Sequence, residues 1–124
     1  TRFPAFESAL YIIGDSYFQK EEYQLATNYL ASAAIVAPNN ADYLFKYSHA
    51  IRMLGDKKSS LHILDTLIQK FPNYAKAYYA RGNMQVEEGN ELQALESFKL
   101  AFSLDNRNKK FESRYLKLRN KPFI

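Results

Sequence analysis

The chain has 124 residues, the size of one ordinary domain, and its 47% hydrophobic and 24% charged content excludes a disordered chain. It contains no cysteine, which excludes disulfides, thiolate zinc sites, iron–sulfur clusters and cysteine nucleophiles. The net charge of +4 raises the question of nucleic-acid or acidic partners.

No targeting or anchoring segment is predicted in this chain. No apolar run approaches the ~20 residues of a transmembrane helix, and no basic start is followed by an apolar core of the kind that signal peptides have. We therefore expect a cytoplasmic compartment. The chain begins at Thr1 without a methionine, so we expect a piece of a longer protein.

A repeat with a fixed period organises the sequence. Two proline-containing turns, at Pro38 and Pro72, are 34 positions apart, and adding 34 again reaches Asn106. Residues of similar size recur at the same spacing, and each such set is called a column; this recurrence predicts a helical repeat array. The columns are Gly14, Ser48 and Gly82; Ala26, Ser60 and Ala94; Leu30, Leu64 and Phe98; and Leu10, Leu44 and Tyr78.

Each repeat is predicted to contain two helices, and the repeats to span residues 7–40, 41–74 and 75–108. In the first repeat, apolar or small residues fall at i, i+3, i+4 and i+7 from Leu10, a polar turn follows at residues 20–22, and Pro38 ends the second helix. Gly55 and Gly89 mark the same turn in the other repeats. Candidate N-caps are Asn40, Asn73 and Asn90, the last in a capping box with Gln93.

A C-terminal helix is predicted over residues 109–121. Its inner face carries Phe111, Tyr115 and Leu118, and Pro122 ends it. This helix is either a cap for the array or the first helix of a fourth repeat. Its water-facing side is predicted to consist of Lys109, Lys110, Arg114 and Lys117.

Small residues at fixed positions predict close helix–helix contact. Glycine in the middle of a helix costs about 1 kcal/mol relative to alanine, so its repetition at one position indicates close packing there. A large side chain at these columns should cost about 1–3 kcal/mol through overpacking. The residues predicted to determine the fold are Gly14, Ala26, Pro38, Ser48, Ser60, Pro72, Gly82 and Ala94.

These units resemble the tetratricopeptide repeat (TPR) family. In the first, the family pattern is matched by Leu10, Ile13, Gly14, Tyr17, Ala26, Leu30, Ala33 and Pro38; in the third, by Tyr78, Gly82, Ala94, Phe98 and Ala101. The second unit departs most, with Ser48, Ile51, Ser60 and Leu67 at pattern positions. The resemblance implies an all-α fold, a right-handed α-solenoid of antiparallel helix pairs with about seven helices.

The resemblance also implies a concave groove that binds an extended peptide or a partner helix. The first helices should line it with Tyr11, Asp15, Phe18, Phe45, Lys46, His49, Arg52, Lys76, Tyr79 and Asn83. Tyr11, Phe45 and Tyr79 form an aromatic column that serves either packing between helices or contact with a partner. Lys46, His49, Arg52 and Lys76 form either a basic patch or a merely solvated face.

The family's carboxylate clamp for heat-shock chaperone tails is not predicted here. At the clamp positions this chain has Tyr11, Asp15, Lys46, Lys76 and Ala80, of which only Lys76 matches. Asp15 would repel a terminal carboxylate. Asn83 could instead hold a peptide backbone through its amide.

The sequence predicts a non-enzymatic interaction module or scaffold without cofactor or metal. Nucleotide-binding and hydrolase motifs are absent, and His49 and His62 lie in different predicted helices without a carboxylate at metal-ligand spacing. The alternatives are self-association as a homodimer, a subunit role in a larger assembly and, less favoured, nucleic-acid binding through the C-terminal helix.

The positive charge belongs to that helix rather than to the repeats. Residues 107–121 hold seven Lys or Arg against Glu112, a charge of +6, so the rest of the chain sums to −2. The first repeat carries −3 and the second +2. A local acidic contact at the helix is therefore a better hypothesis than nucleic-acid binding by the whole chain.

Overall fold

The computed structural model describes residues 4–122, without the side chains of residues 4 and 5. Within that range there are seven helices and no strand, so the all-α class is confirmed. The helices are α1 Pro4–Gln19, α2 Tyr23–Val36, α3 Ala41–Met53, α4 Lys57–Lys70, α5 Ala75–Glu87, α6 Glu91–Leu104 and α7 Lys109–Arg119. None of these helices combines the length and apolar character that a membrane crossing requires.

Helix boundaries follow the predicted period. Helices α3, α5 and α7 begin at residues 41, 75 and 109, at the predicted spacing. The turns inside the three helix pairs place Glu21, Gly55 and Gly89 at φ values of 62°, 93° and 81°. Glycine adopts this left-handed conformation readily, whereas the Cβ of Glu21 makes it strained.

The ends of the first and last helices differ from the prediction. Helix α1 begins at Pro4, before the predicted start of the first repeat at residue 7, and α7 ends at Arg119 rather than at residue 121. A proline disfavours helical geometry in the residue before it, and Pro122 therefore ends α7 early. Asn120 is its C-cap.

The predicted caps are confirmed only in part. The Asn40 side chain accepts a hydrogen bond from the Tyr43 amide at 3.3 Å, as expected for an N-cap. Asn90 is the N-cap residue of α6, as predicted, but its side chain makes no capping bond. The N-cap of α5 is Tyr74, so the prediction of Asn73 is wrong. Asn108 caps α7 instead, accepting from the Phe111 amide at 3.1 Å.

The chain divides within α4 into two compact units, residues 1–65 and 66–124. In the first unit α2 packs against α1 and α3. Ala26, Leu30 and Ala50 form its core, and the Ser60 hydroxyl donates to the Ser48 carbonyl at 2.8 Å. This bond links α3 to α4 through one residue from each of two columns of small residues.

In the second unit α6 packs against α5 and α7. Its core contains Tyr78, Ala101 and Phe111. The Tyr78 hydroxyl donates to the Pro72 carbonyl at 2.8 Å, which ties the turn after α4 to α5.

The two mid-helix glycines face large side chains. A Cβ added at Gly14 would lie 2.8 Å from Leu30 Cγ, and one at Gly82 would lie 2.6 Å from Phe98 Cε1. The nearest side chains are thus Leu30 and Phe98, which belong to the recurring large residues in the second helix of each pair. No Cβ fits at either position without movement of its neighbour.

Candidate functional site

Helices α1 and α3 bring six of the predicted site residues together in the first unit. All six are half-buried, so each is fixed by neighbours while part of its surface meets solvent. We call this set the α1–α3 surface, and it consists of Tyr11, Asp15, Phe18, Phe45, Lys46 and His49.

An ion pair crosses this surface. Lys46 Nζ lies 3.1 Å from Asp15 Oδ1 and 4.7 Å from the centroid of the Phe18 ring. Asp15 Oδ1 is buried and makes no well-directed hydrogen bond, so the attraction of opposite charges holds the contact. The pair compensates the charge of Lys46 within the fold, which weakens the predicted basic patch.

His49 lies between two aromatic rings. Its ring centroid is 5.1 Å from that of Phe18, edge to face, and 6.4 Å from that of Phe45. Burial lowers the pKa of His49 below its ordinary value of 6.5, and the positive charges of Lys46 and Arg52 lower it further. His49 is therefore neutral at pH 7 and contributes aromatic surface there rather than charge.

Tyr11 is held by an aromatic neighbour on α3. Its ring stacks on that of Tyr43, with centroids 4.6 Å apart and an interplanar angle of 20°. Burial raises the pKa of the Tyr11 hydroxyl, and the carboxylates of Asp15 and Asp42 add to this effect. The hydroxyl stays protonated and can donate a hydrogen bond.

The remaining candidates have different surroundings. Arg52 is half-buried on α3, and Lys76 is exposed at the start of α5 in the second unit. Tyr79 packs between Phe98 and Phe111, with centroid distances of 5.7 and 4.7 Å. Tyr11 and Tyr79 thus both pack against aromatic rings of the fold, and the two uses of the aromatic column stay predictions.

Arg114 was predicted to face water, and this prediction is wrong. Its Nη2 donates to Asn83 Oδ1 at 2.8 Å, and its guanidinium lies 5.1 Å from the centroid of the Phe98 ring. The residue shares the helical face of Phe111, Tyr115 and Leu118, because it falls at i+3 from Phe111. Periodicity alone could have placed it on the inner side.

Tyr43 is another partner that the repeat pattern missed. It lies in the first turn of α3 and supplies the flat face on which Tyr11 stacks. No repeat column pointed to it, since the residue 34 positions later is Ala77. Only the observed contact between α1 and α3 identifies it.

The described residues of this surface offer contact area and charge. No group of three His, Asp or Glu side chains between residues 4 and 122 is arranged to hold a metal ion. The α1–α3 surface presents aromatic rings beside a compensated ion pair. Such a surface can bind apolar side chains and peptide groups.

Comparison with curated proteins finds partial sequence similarity. The chain is 28% identical over 95 residues to DnaJ homolog subfamily C member 7 from Mus musculus, which covers 77% of this chain. The match spans 19% of that protein, so the chain corresponds to about a fifth of the length of such relatives. No protein-family model matches the chain.

Solved structures share the fold over nearly the whole chain. The first TPR of Spaghetti (RPAP3), bound to the HSP90 peptide SRMEEVD, has a TM-score of 0.80 at 18% identity, covering 91% of this chain and 90% of that one. The Yersinia enterocolitica type III secretion chaperone SycD, in complex with a peptide of the translocator YopD, has a TM-score of 0.81 at 12% identity, covering 95% and 89%. At these identities the likeness establishes the fold.

Proposed function

Because the chain has the fold of tetratricopeptide repeat domains, we propose that it is a non-enzymatic protein-interaction module that binds a peptide or partner helix. The observation that carries the proposal is the α1–α3 surface, where side chains fixed by the fold remain partly exposed. One of the two structural neighbours holds a peptide of HSP90 and the other a peptide of the translocator YopD, which supports peptide binding as a use of this fold.

We propose that contact with aromatic rings contributes most of the binding free energy at this surface. Phe18 and Phe45 flank a neutral His49, so three rings lie together without an uncompensated charge among them. Rigid rings give large contact area at a low cost in conformational entropy. The surface therefore suits an apolar side chain of a partner.

We propose that this surface does not hold a chaperone tail by the carboxylate-clamp mode. Lys46 is already paired with Asp15, so it offers little net attraction to a terminal carboxylate. Lys76 is the single residue that matches the clamp pattern. One lysine does not reproduce a set of several converging donors.

The proposal is tested by selecting peptides from a phage-displayed library of random short sequences and measuring their affinity by fluorescence anisotropy. We expect Phe45→Ala to weaken the selected peptides about tenfold, as loss of an aromatic contact does. The matched control is Leu92→Ala, which removes a side chain that is 73% exposed on α6. An unchanged affinity with Phe45→Ala, or equal losses with both variants, would contradict the proposal.

The clamp mode is tested separately with the peptide SRMEEVD. Clamp binding needs the terminal carboxylate, so it would disappear when the peptide is amidated and when Lys76 is changed to Ala. We expect neither change to alter any binding that is measured. Parallel losses on both changes would establish the clamp and refute our exclusion of it.

Self-association is a second candidate, favoured by exposed apolar side chains of the α1–α2 pair. Ile12 and Ile35 are 61% and 78% exposed, although large aliphatic residues usually lie inside. Light scattering across a dilution series tests this idea. A mass that equals the monomer at every concentration removes it, and a dimer that Ile35→Lys dissociates supports it.

A further inference from the structure

A cavity beside α7 combines an apolar floor with a cationic rim. Its volume is about 380 Å³, which lies in the range of small ligand-binding pockets. We call it the α7 pocket. It is lined by Val86, Phe98, Arg114, Lys117, Leu118 and Lys121.

The floor of the α7 pocket is rigid. Phe98 is only 1% exposed, and its ring packs against Tyr79 on α5. Val86 and Leu118 are half-buried and bring aliphatic surface from α5 and α7. An apolar side chain of moderate size can therefore leave water here without rearranging the core.

Arg114 holds a fixed positive charge in the wall. The Phe98 ring and the Asn83 side-chain oxygen position its guanidinium, and both partners are neutral. Its Nε is buried without a hydrogen-bond acceptor, and across the described part of the chain Arg114 forms no ion pair. Part of the hydrogen-bonding capacity of this guanidinium is thus unused.

The two lysines at the rim differ in their surroundings. Lys121 Nζ contacts both carboxylate oxygens of Glu91, at 2.7 and 2.9 Å. Lys117 is exposed and has no ion-pair partner within residues 4–122. Arg114 and Lys117 each carry one positive charge that no carboxylate compensates, so the pocket holds about two such charges.

We propose that the α7 pocket binds a peptide segment in which a carboxylate adjoins an apolar residue such as Leu, Ile or Met. The carboxylate pairs with Arg114 and Lys117, and the apolar side chain packs on Val86 and Leu118, above the buried Phe98 ring. This inference rests on the proposed function and deepens it, because it assigns the partner's chemistry at a surface outside the α1–α3 surface.

The local charge favours such a partner over a neutral one. Residues 107–121 carry +6, so an acidic segment is attracted before it makes contact. The pocket floor favours a peptide over a nucleic-acid backbone, since phosphates and hydroxylated sugars are too polar to fill an apolar floor. The carboxylate belongs to an Asp or Glu side chain of the segment, because binding that needed a peptide C-terminus would be lost on amidation.

The test uses four fluorescent peptides and the whole chain. The first has the core sequence DELDE with both ends blocked, the second replaces its acids by amides (NQLNQ), and the third replaces Leu by Ser (DESDE). The fourth is a neutral peptide that ends in Leu with a C-terminal carboxylate. We expect the first to bind, and the second, third and fourth to bind at least about tenfold more weakly. A fourth peptide that binds more tightly than the first would assign the site to a C-terminal carboxylate and contradict the proposal.

Charge reversal locates the site. Lys117→Glu should weaken the bound peptide about tenfold, because an attraction becomes a repulsion. Lys99→Glu is the matched control, since Lys99 is an exposed lysine of α6 that does not line the pocket, and it should change the affinity less than about twofold. Far-UV circular dichroism checks that both variants keep their helices.

Three other results would overturn the proposal. They are equal binding of DELDE and NQLNQ, equal effects of Lys117→Glu and Lys99→Glu, and displacement of the peptide by poly(U) that binds more tightly than the peptide does. The last result would identify a nucleic-acid surface. If library peptides bind and respond to Phe45→Ala while Lys117→Glu has no effect, the α7 pocket alone is refuted; if no peptide binds in either assay, the proposed function is refuted as well.

Discussion

Replacing Gly82 by alanine tests the close contact between α5 and α6. A Cβ at this position would lie 2.6, 2.7 and 3.0 Å from Cε1, Cδ1 and Cζ of Phe98. All three are atoms of one rigid ring, and the ring is 1% exposed and packed against Tyr79 and the Arg114 guanidinium. The ring cannot rotate away from the new methyl group without disturbing these neighbours.

Two opposing effects set the expected change in stability. Alanine is favoured over glycine inside a helix by about 1 kcal/mol. Overpacking of a buried contact costs about 1–3 kcal/mol, and a contact with a rigid ring belongs to the upper part of that range. We therefore expect Gly82→Ala to lower the free energy of unfolding by about 1–2 kcal/mol, or the melting temperature by roughly 3–8 °C in a chain of this size.

Urea unfolding followed by far-UV circular dichroism measures this change. The control is the double variant Gly82→Ala with Phe98→Leu, because leucine leaves more room beside the new methyl group. The double variant should be more stable than the sum of the single changes predicts, by about 1 kcal/mol. A Gly82→Ala variant as stable as the parent, or additive changes in the double variant, would show that the contact does not limit the packing of α5 on α6.

Three other changes probe local features. Glu21→Gly should raise the free energy of unfolding by about 0.5–1 kcal/mol in urea titrations, because Glu21 has a φ of 62°; a loss of stability would contradict this. The lowered pKa of His49 means that the unfolded chain binds a proton more readily below pH 6.5. Stability should therefore fall as the pH drops below 6.5, and less so in His49→Gln, and an NMR titration that gives His49 a pKa above 6.5 would refute this. Asn108→Ala should cost about 1 kcal/mol, and Asn90→Ala should cost much less because Asn108 makes a capping bond and Asn90 does not; equal losses in thermal melts would contradict the assignment.

The sequence predicts those features that depend on neighbouring residues along the chain. The repeat period places helix starts at 41, 75 and 109 because turn residues and prolines act locally. Gly55 and Gly89 occupy left-handed turns, where glycine is the favoured residue. Even Glu21 follows the period, although its side chain disfavours that conformation.

Contacts between helices were less predictable. The pairing of Lys46 with Asp15 depends on how α3 is placed against α1, and many other lysine–carboxylate pairs were equally compatible with the sequence. Arg114 has a long side chain, which can reach solvent or lie along an apolar surface from the same backbone position. Its contacts with Asn83 and Phe98 decide between these options, and they involve residues 31 and 16 positions away in the chain.

The surroundings of each cation determine whether it can recruit a partner. Lys46 is neutralised by Asp15 at 3.1 Å, whereas Lys117 has no ion-pair partner across the described helices. Binding at the α1–α3 surface should therefore depend on contact area and change little with salt, while binding at the α7 pocket should weaken as salt screens its charges. Anisotropy titrations at low and physiological salt separate the two. A steep salt dependence of peptides that respond to Phe45→Ala would mean that the ion pair of Lys46 and Asp15 opens on binding, and it would refute our assignment of that surface to apolar contact.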